Sequence, residues 1–501
     1  MKNKKWNIFL FISFTLFFIL LLTNEFSKYI NDLDELWNYN FSNCIAQGLV
    51  PYKDLNMITT PFLHILVGIV LKFTFNNLMV YRVICAVVST GVLFLVYLII
   101  KKIIENKYIS LILTCIFCCI YYNFFRLDYN FFSLLLFLII EYIELLKIDK
   151  ERIFKHNLII GVLIGLIICT KQTIGIFVLL AIIIGELILY RKIENKKLIK
   201  QILLILAGCF IPIIVLVVYL LITGAFNDCI DYTILGISTF KNRASYLELL
   251  HNYYFTIRLY AILLPVFAVI SIIVNTLYRK TEKKETVALL ASIPMLIVIY
   301  PIASVDHFLV GIAPLFIYFL VTIYNLLKFI FNKFNNKFIK YLKTTIKIFL
   351  VLFIVYNVTL LIYNNISKYI NHAEDYSKIK HFENILNFKC VEERIKSFNE
   401  FKKDRNNIII ADSEACIYFI PQDKYNKNFD TFNIGNFGQK SEEGIIEHIK
   451  ESKDMYYLVK NNDAYLNWQA PKNVIYYIRN NLEHKETVQF YDIVYDVYYK
   501  N

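Results

Sequence analysis

The chain has little of what builds a soluble enzyme. Charged residues make up 19% of its 501 positions, and there are only 9 prolines and 14 glycines. So few breakers exclude a collagen-like or low-complexity chain. There is no Gly-x-Gly-x-x-Gly and no Gly-x-x-x-x-Gly-Lys loop, so a Rossmann or P-loop nucleotide site is not supported. No His/Cys/Asp set has zinc spacing, and no repeat of fixed period runs through the apolar segments. Of the 10 cysteines, Cys85, Cys115, Cys118, Cys119, Cys169 and Cys209 stand in apolar runs. Cysteine behaves there as a small hydrophobe, so Cys115-x-x-Cys118 reads as packing, not as a redox or metal site.

What is present is apolar. Hydrophobic residues are 57% of the chain and aromatics 16%. The mean hydropathy is +0.52. A helix needs about 20 apolar residues to cross the hydrocarbon of a bilayer. Eleven candidate spans follow: 6–23, 78–100, 108–124, 129–146, 157–170, 173–190, 199–223, 259–278, 286–302, 308–330 and 346–364, with an interfacial helix at 61–75. The first follows Lys2, Lys4 and Lys5 and lacks a small-x-small cleavage site, so it reads as a retained helix rather than a signal peptide.

The net charge of +13 is spread over short loops and is no nucleic-acid footprint. Six alternate loops carry 25 lysines and arginines. The opposite set holds Lys28, Lys53, Lys72, Arg82, Arg126, Lys171, Lys241, Arg243 and Arg258. Positive loops stay in the cytoplasm, which places the N-terminus inside and the stretch 31–61 outside. An odd number of spans puts the tail outside as well. From Asn365 onward the tail balances 19 basic against 21 acidic residues. It alternates a strand at 407–412, a helix at 441–451, a strand at 455–459, a helix at 474–482 and a final strand at 488–499. The expected fold is therefore a polytopic α-helical membrane protein of about 11 transmembrane helices, residues 1–366, with a small C-terminal extracytoplasmic α/β domain, residues 367–501.

The acids gather on the outer side of this arrangement, and the stretch 31–61 carries Asp32, Asp34, Glu35 and Asp54. A carboxylate there can take a proton from an attacking hydroxyl, or hold a divalent cation. The structural alternative is an acid at a helix start, where the helix dipole favours it; Asp32 fits that reading best.

Asp34-Glu35 at the end of the first span, the step Gly48-Leu-Val-Pro51-Tyr52-Lys53-Asp54 and Thr60-Pro61 before an apolar helix together resemble the GT-C superfamily of multi-spanning glycosyltransferases. The similarity is greatest to the protein-mannosyltransferase-like and aminoarabinose-transferase-like branch, and it covers about residues 1–330. The resemblance implies a catalytic acid in the first outer loop, a position that Asp34 occupies. It implies a second acid in the next outer loop, where Phe125-Arg126-Leu127-Asp128-Tyr129-Asn130 offers Asp128. Glu35, Tyr52 and Asp54 would be substrate-binding groups of the same loop. Relatives often carry Lys-Pro-Pro where this chain has Thr59-Thr60-Pro61, so a cation for the donor phosphate must come from elsewhere. Lys171 in Cys169-Thr170-Lys171-Gln172 is the first candidate, with Arg126 and Arg258 as alternatives. Lys171 could instead snorkel to headgroups, and Arg126 could bridge locally to Asp128. His307, after Asp306, either bonds phosphate or sugar or is a solvated turn histidine. His64 is expected to face headgroups, and Trp468 is the tail aromatic best suited to stack on a sugar.

The activity so implied is transfer of a sugar from a polyprenyl-phosphate donor to an acceptor hydroxyl at the outer face of the cytoplasmic membrane. The partners would be membrane lipid, the lipid-linked donor and a surface glycan, lipid or protein acceptor, with no nucleic acid. A divalent cation is left open, and no nucleotide cofactor is expected. The alternatives are a polytopic transporter or lipid-linked glycan flippase, and a non-catalytic surface binding or scaffold protein.

Overall fold

The computed structural model describes residues 2–28, 32–74, 78–149, 153–189, 195–239, 245–252, 254–278, 283–300, 302–334, 337–371, 389–415, 427, 429, 432–462 and 470–501. Trp468 lies outside them. In chain order the helices are α1 Lys2–Ser27, α2 Leu33–Ala46, α3 Phe62–Phe73, α4 Leu78–Ile104, α5 Lys107–Tyr121, α6 Tyr129–Asp149, α7 Ile153–Ile168, α8 Gln172–Leu189 and α9 Asn195–Thr223. They continue with α10 Phe226–Ile230, α11 Tyr246–Leu250, α12 Phe255–Tyr278, α13 Lys283–Ala291, α14 Val305–Lys333, α15 Lys337–Asn371, α16 Lys389–Lys402, α17 Ser441–Glu451 and α18 Lys472–Asn481. The strands are β1 Ile408–Ile410, β2 Met455–Lys460, β3 Glu483–Phe490 and β4 Ile493–Lys500.

Eight helices among the described residues are long and apolar enough to cross a membrane, which makes this a multi-pass membrane protein. They fall on α1, α4, the run Lys107–Phe124, α8, α9, α12, α14 and α15. The expected eleven spans are thus not all met. Residues 129–146 and 157–168 are helical, in α6 and α7, but outside that group; α7 has only 16 residues. The run 286–302 is not one helix. It stops at Ala291 and resumes as a 3-10 turn over Pro294–Ile299. Pro294 has no N–H to donate, and its ring crowds the carbonyl four residues back, which disfavours a continuous α-helix at this point.

The chain divides into two compact units. The first comprises Met1–Ser27, Cys85–Ile214 and Ala244–Lys368. Its long helices differ in what they face: α14 has 67% of its apolar window buried, whereas α15 has 6%. The first is a core helix, and the second presents its apolar side chains outward as a lipid-facing helix does. Helices α7 and α9 cross at glycines. A Cβ on Gly161 would overlap the Ile205 carbonyl, one on Gly165 the Cys209 carbonyl, and one on Gly208 the Leu158 carbonyl. Small residues let two apolar helices touch backbone to backbone, which replaces the hydrophobic drive that lipid does not supply.

The second unit comprises Lys28–Ile84, Val215–Arg243 and Tyr369–Asn501. Here α2 packs on α3. His64 of α3 is fully buried, 3.5 Å from the Ser42 hydroxyl and edge-on to the Phe41 ring. It does not face headgroups, because the tight approach of Gly68 to Ser42 turns that side of α3 onto α2. The tail forms a four-stranded sheet in the order β1-β2-β4-β3, with β1 and β2 parallel and the other pairs antiparallel. One face holds Ile409, Tyr457 and Val459 with Ile445 and Ile449 of α17 and Val474 and Ile478 of α18. The expected single strand at 488–499 is instead the hairpin β3–β4. It reverses at Tyr491, whose φ of 59° is a left-handed conformation that a tyrosine side chain does not announce.

The sheet is tied into the rest of its unit. Lys427 pairs with Asp228, the Gln439 N–H donates to Asp231 Oδ1 at 3.0 Å, and Asn56 Nδ2 donates to the Asn436 carbonyl at 3.3 Å.

Candidate functional site

In the second unit, Asp32 ends the approach to α2 in extended backbone, and its side chain accepts the N–H groups of Asp34, at 3.1 Å, and Glu35. This is an ordinary N-cap, and it fixes the first turn of α2. Asp34, on that turn, is half-buried. Glu35 meets Arg82. Its two oxygens accept from Nε and Nη2 of Arg82, each at 2.9 Å, and both side chains are buried. Arg82 Nη1 also donates to the Lys28 carbonyl at 2.9 Å. The planar guanidinium matches the carboxylate fork, which is how a buried ion pair meets its desolvation cost. The neighbouring acids of one dipeptide thus have different environments.

Tyr52 and Asp54 shape the loop after α2. Tyr52 sits at φ 67°, is fully buried, and donates its hydroxyl to the Thr59 carbonyl at 2.7 Å. Asp54 Oδ2 accepts the Val50 N–H at 2.7 Å. The buried face of α2 is polar as well: Asn38, Asn40, Ser42 and Asn43 are all covered. Trp37 Nε1 and the amide oxygens of Asn38 and Asn43 have no hydrogen-bond partner among the described residues. Alternating aromatic and amide side chains in 36–43 were the available signal for these groups.

In the first unit, three loops bring polar groups together. Asp128 precedes α6, is buried, and accepts the Phe131 N–H at 2.7 Å through Oδ1, as a helix cap does. Burial raises its carboxyl above the usual range. Arg126, the Phe131 N–H and Lys171 pull it back down, and Asp306 adds to the rise. Arg126 forms an ion pair with Asp306 at 2.8 Å, across loops, and its charge also acts on Asp128. Lys171 is buried, donates to Asn130 Oδ1 at 2.6 Å, and lies 5.0 Å from the centre of the Tyr129 ring. It is held inside the unit and does not snorkel. His307, in the first turn of α14, has Nδ1 on the Ile302 carbonyl at 2.8 Å, while its backbone N–H donates to the Ser304 hydroxyl. Lys171 and Arg126 both lie near enough to act on its ring. Asp128, Arg126, Lys171 and His307 are thus collected in one unit, together with Asp306 and Asn130. Asn130 was not among the expected site residues, although it stands two residues after Asp128. Arg258, the other alternative cation, has its Nε without a hydrogen-bond partner among the described residues.

Two cations and a histidine beside a buried carboxyl can receive an anion at fixed geometry. The described residues include no group of three His, Cys, Asp or Glu side chains that could hold a metal ion. Fold and side chains together define a multi-pass membrane protein with ordered polar groups at loop ends. No protein-family model matches the sequence, and a search of curated proteins finds no match. Among solved structures, the oligosaccharyltransferase of Archaeoglobus fulgidus, in complex with zinc and sulfate, is similar over 68% of this chain and 52% of its own. The identity is 14% and the TM-score 0.37. This chain therefore spans about half the length of that structure. A likeness that loose carries no residue across.

Proposed function

We propose that the chain is a membrane glycosyltransferase of GT-C type that moves a sugar from a polyprenyl-phosphate donor to an acceptor hydroxyl on the outer face of the cytoplasmic membrane. The observation that supports this best is the gathering of Arg126, Asp128, Asn130, Lys171, Asp306 and His307 from three loops. Lys171 and Arg126 take the donor phosphate. As the glycosidic bond breaks, charge builds on the leaving phosphate oxygen, and fixed cations stabilise that moment most. His307 adds a ring nitrogen beside them. Asp128 sets the pose of these cations through its own charge and the cap it provides to α6.

Asp34 is the general base. It accepts the acceptor hydroxyl proton as the oxygen attacks the anomeric carbon, a role worth roughly 10²- to 10⁴-fold in rate. The Asp32 cap holds its turn in place. Tyr52 and Asp54 keep the following loop in shape, and Trp37, Asn38 and Asn43 of α2 offer amide and indole groups of the kind that bond sugar hydroxyls.

The test uses membranes holding the full chain and a panel of labelled polyprenyl-phosphate hexoses and pentoses. Transfer is expected from the native chain and not from Asp34→Asn, at unchanged thermal stability. Undiminished transfer by Asp34→Asn removes the base assignment. Movement of labelled lipid across the bilayer with no sugar transferred replaces the reading by a flippase.

A further inference from the structure

The first unit contains a second polar place that the proposed transfer does not use. Glu141 and Glu144 of α6 and Glu186 of α8 line a cavity of about 30 Å³. Glu141 is 13 positions past Asp128 on the helical path of α6, or about 20 Å at the α-helical rise. The two places are therefore separate.

Three observations set the charge balance. Lys147 donates to Glu144 Oε1 at 3.2 Å and also pairs with Glu186. Its single positive charge is thus shared by two carboxylates. Glu141 is 1% exposed, and neither of its oxygens has a hydrogen-bond partner among the described residues; Glu186 Oε2 lacks one too. The remaining walls are apolar. From α13 and the 3-10 turn come Val287, Leu290, Ala291 and Pro294, none of which carries charge. The charged groups facing Glu141 are therefore Glu144, Lys147 and Glu186 alone among the lining and paired residues.

If all three glutamates were ionised, this buried pocket would hold a net charge of minus two. An unpaired ion in such a place costs several kcal/mol. A water molecule needs roughly 10–15 Å³ of such space, so the cavity has room for about two waters. They would have Glu141 Oε1, Glu141 Oε2 and Glu186 Oε2 as partners.

We propose that Glu141 is a proton-binding site inside the helical unit, loaded and unloaded through water held in this cavity. On loading, the carboxylate takes a proton from a hydronium, an O–H bond forms, and water is left. The neutral acid then donates to a cavity water or to Glu186 Oε2. The Lys147 pair with Glu144 and Glu186 stays in place and supplies the fixed charge that the proton answers.

Infrared spectroscopy of the full chain in lipid nanodiscs at neutral pH tests this. The native protein is expected to show a carboxylic-acid C=O band that Glu141→Gln lacks and that moves to lower frequency in D₂O. Gln has the shape of the protonated acid, so the variant is expected to keep its fold. A native spectrum equal to that of Glu141→Gln overturns the proposal, as does a band that D₂O leaves unmoved. Should Glu141→Gln fail to fold, ¹³C-glutamate NMR of the native protein decides: at least one protonated carboxyl is expected, and none overturns it.

Discussion

Two acidic places show how little a carboxylate's sequence neighbours say about its state. At the start of α2, Asp32, Asp34 and Glu35 lie within four positions, yet one caps the helix, one is half-buried, and one is locked on Arg82. At the start of α6 a single acid, Asp128, stands beside two cations gathered from two loops, with Asp306 paired to one of them. In the first place one long-range partner decides what an acid can do. In the second, charge is pooled. The sharpest test of that contrast is to remove the lone partner. Arg82→Met leaves Glu35 buried and unpaired, which is expected to cost about 3–5 kcal/mol in denaturant unfolding. The double change Arg82→Met with Glu35→Leu is expected to recover most of it. If the single variant is as stable as the native chain, the pair is not what anchors α2.

The pooled place should respond differently. Lys171→Met leaves Arg126 in position, so stability is expected to change little. Transfer from a lipid-phosphate donor is expected to fall about 10²- to 10³-fold, through kcat more than KM. A large loss of stability with normal transfer would make Lys171 a structural group like Arg82.

Acid sharpens the comparison further, because the second unit buries a histidine as well as an ion pair. Burial pushes the His64 ring down to about 3. Its ordinary value is about 6.5, so between those limits the unfolded chain binds more protons than the folded one. The neutral ring is fully accommodated above about pH 6.5, and stability is expected to fall as pH drops below it, by about 1.4 kcal/mol per pH unit. Thermal melts of the native chain and His64→Phe across pH 7 to 4 check this: the variant is expected to lose that slope.

The smallest effect belongs to the exposed rim of the sheet. Arg394 bonds Asp492 bidentately at 2.6 and 2.7 Å and holds its carboxyl below the usual range. Solvent and salt screen such a pair, so Asp492→Asn is expected to cost about 0.2–1 kcal/mol, less in high salt.

Much of the helical plan was legible in the sequence, because apolar length alone marks a crossing segment. The residues of the Asp128 cluster were also legible, since Asp128, Lys171 and His307 each interrupt an apolar run where charge is costly. Pairing was not. Arg126 meets Asp306 and Glu35 meets Arg82 through contacts 180 and 47 positions apart, and nothing local records them. The run 286–302 misled because hydropathy outweighed one proline. The β3–β4 reversal was hidden because Tyr491-Asp492 lacks the glycine or asparagine that usually marks a left-handed turn.

The second unit is sewn from three stretches that lie far apart along the chain, and β4 is its final strand. A ribosome releases Asp228 and Asp231 long before it makes Lys427 and Gln439, their partners. These aspartates must therefore wait without them while about 200 further residues are made, and a message cut short ahead of residue 493 would yield a sheet without the strand that both β2 and β3 pair with.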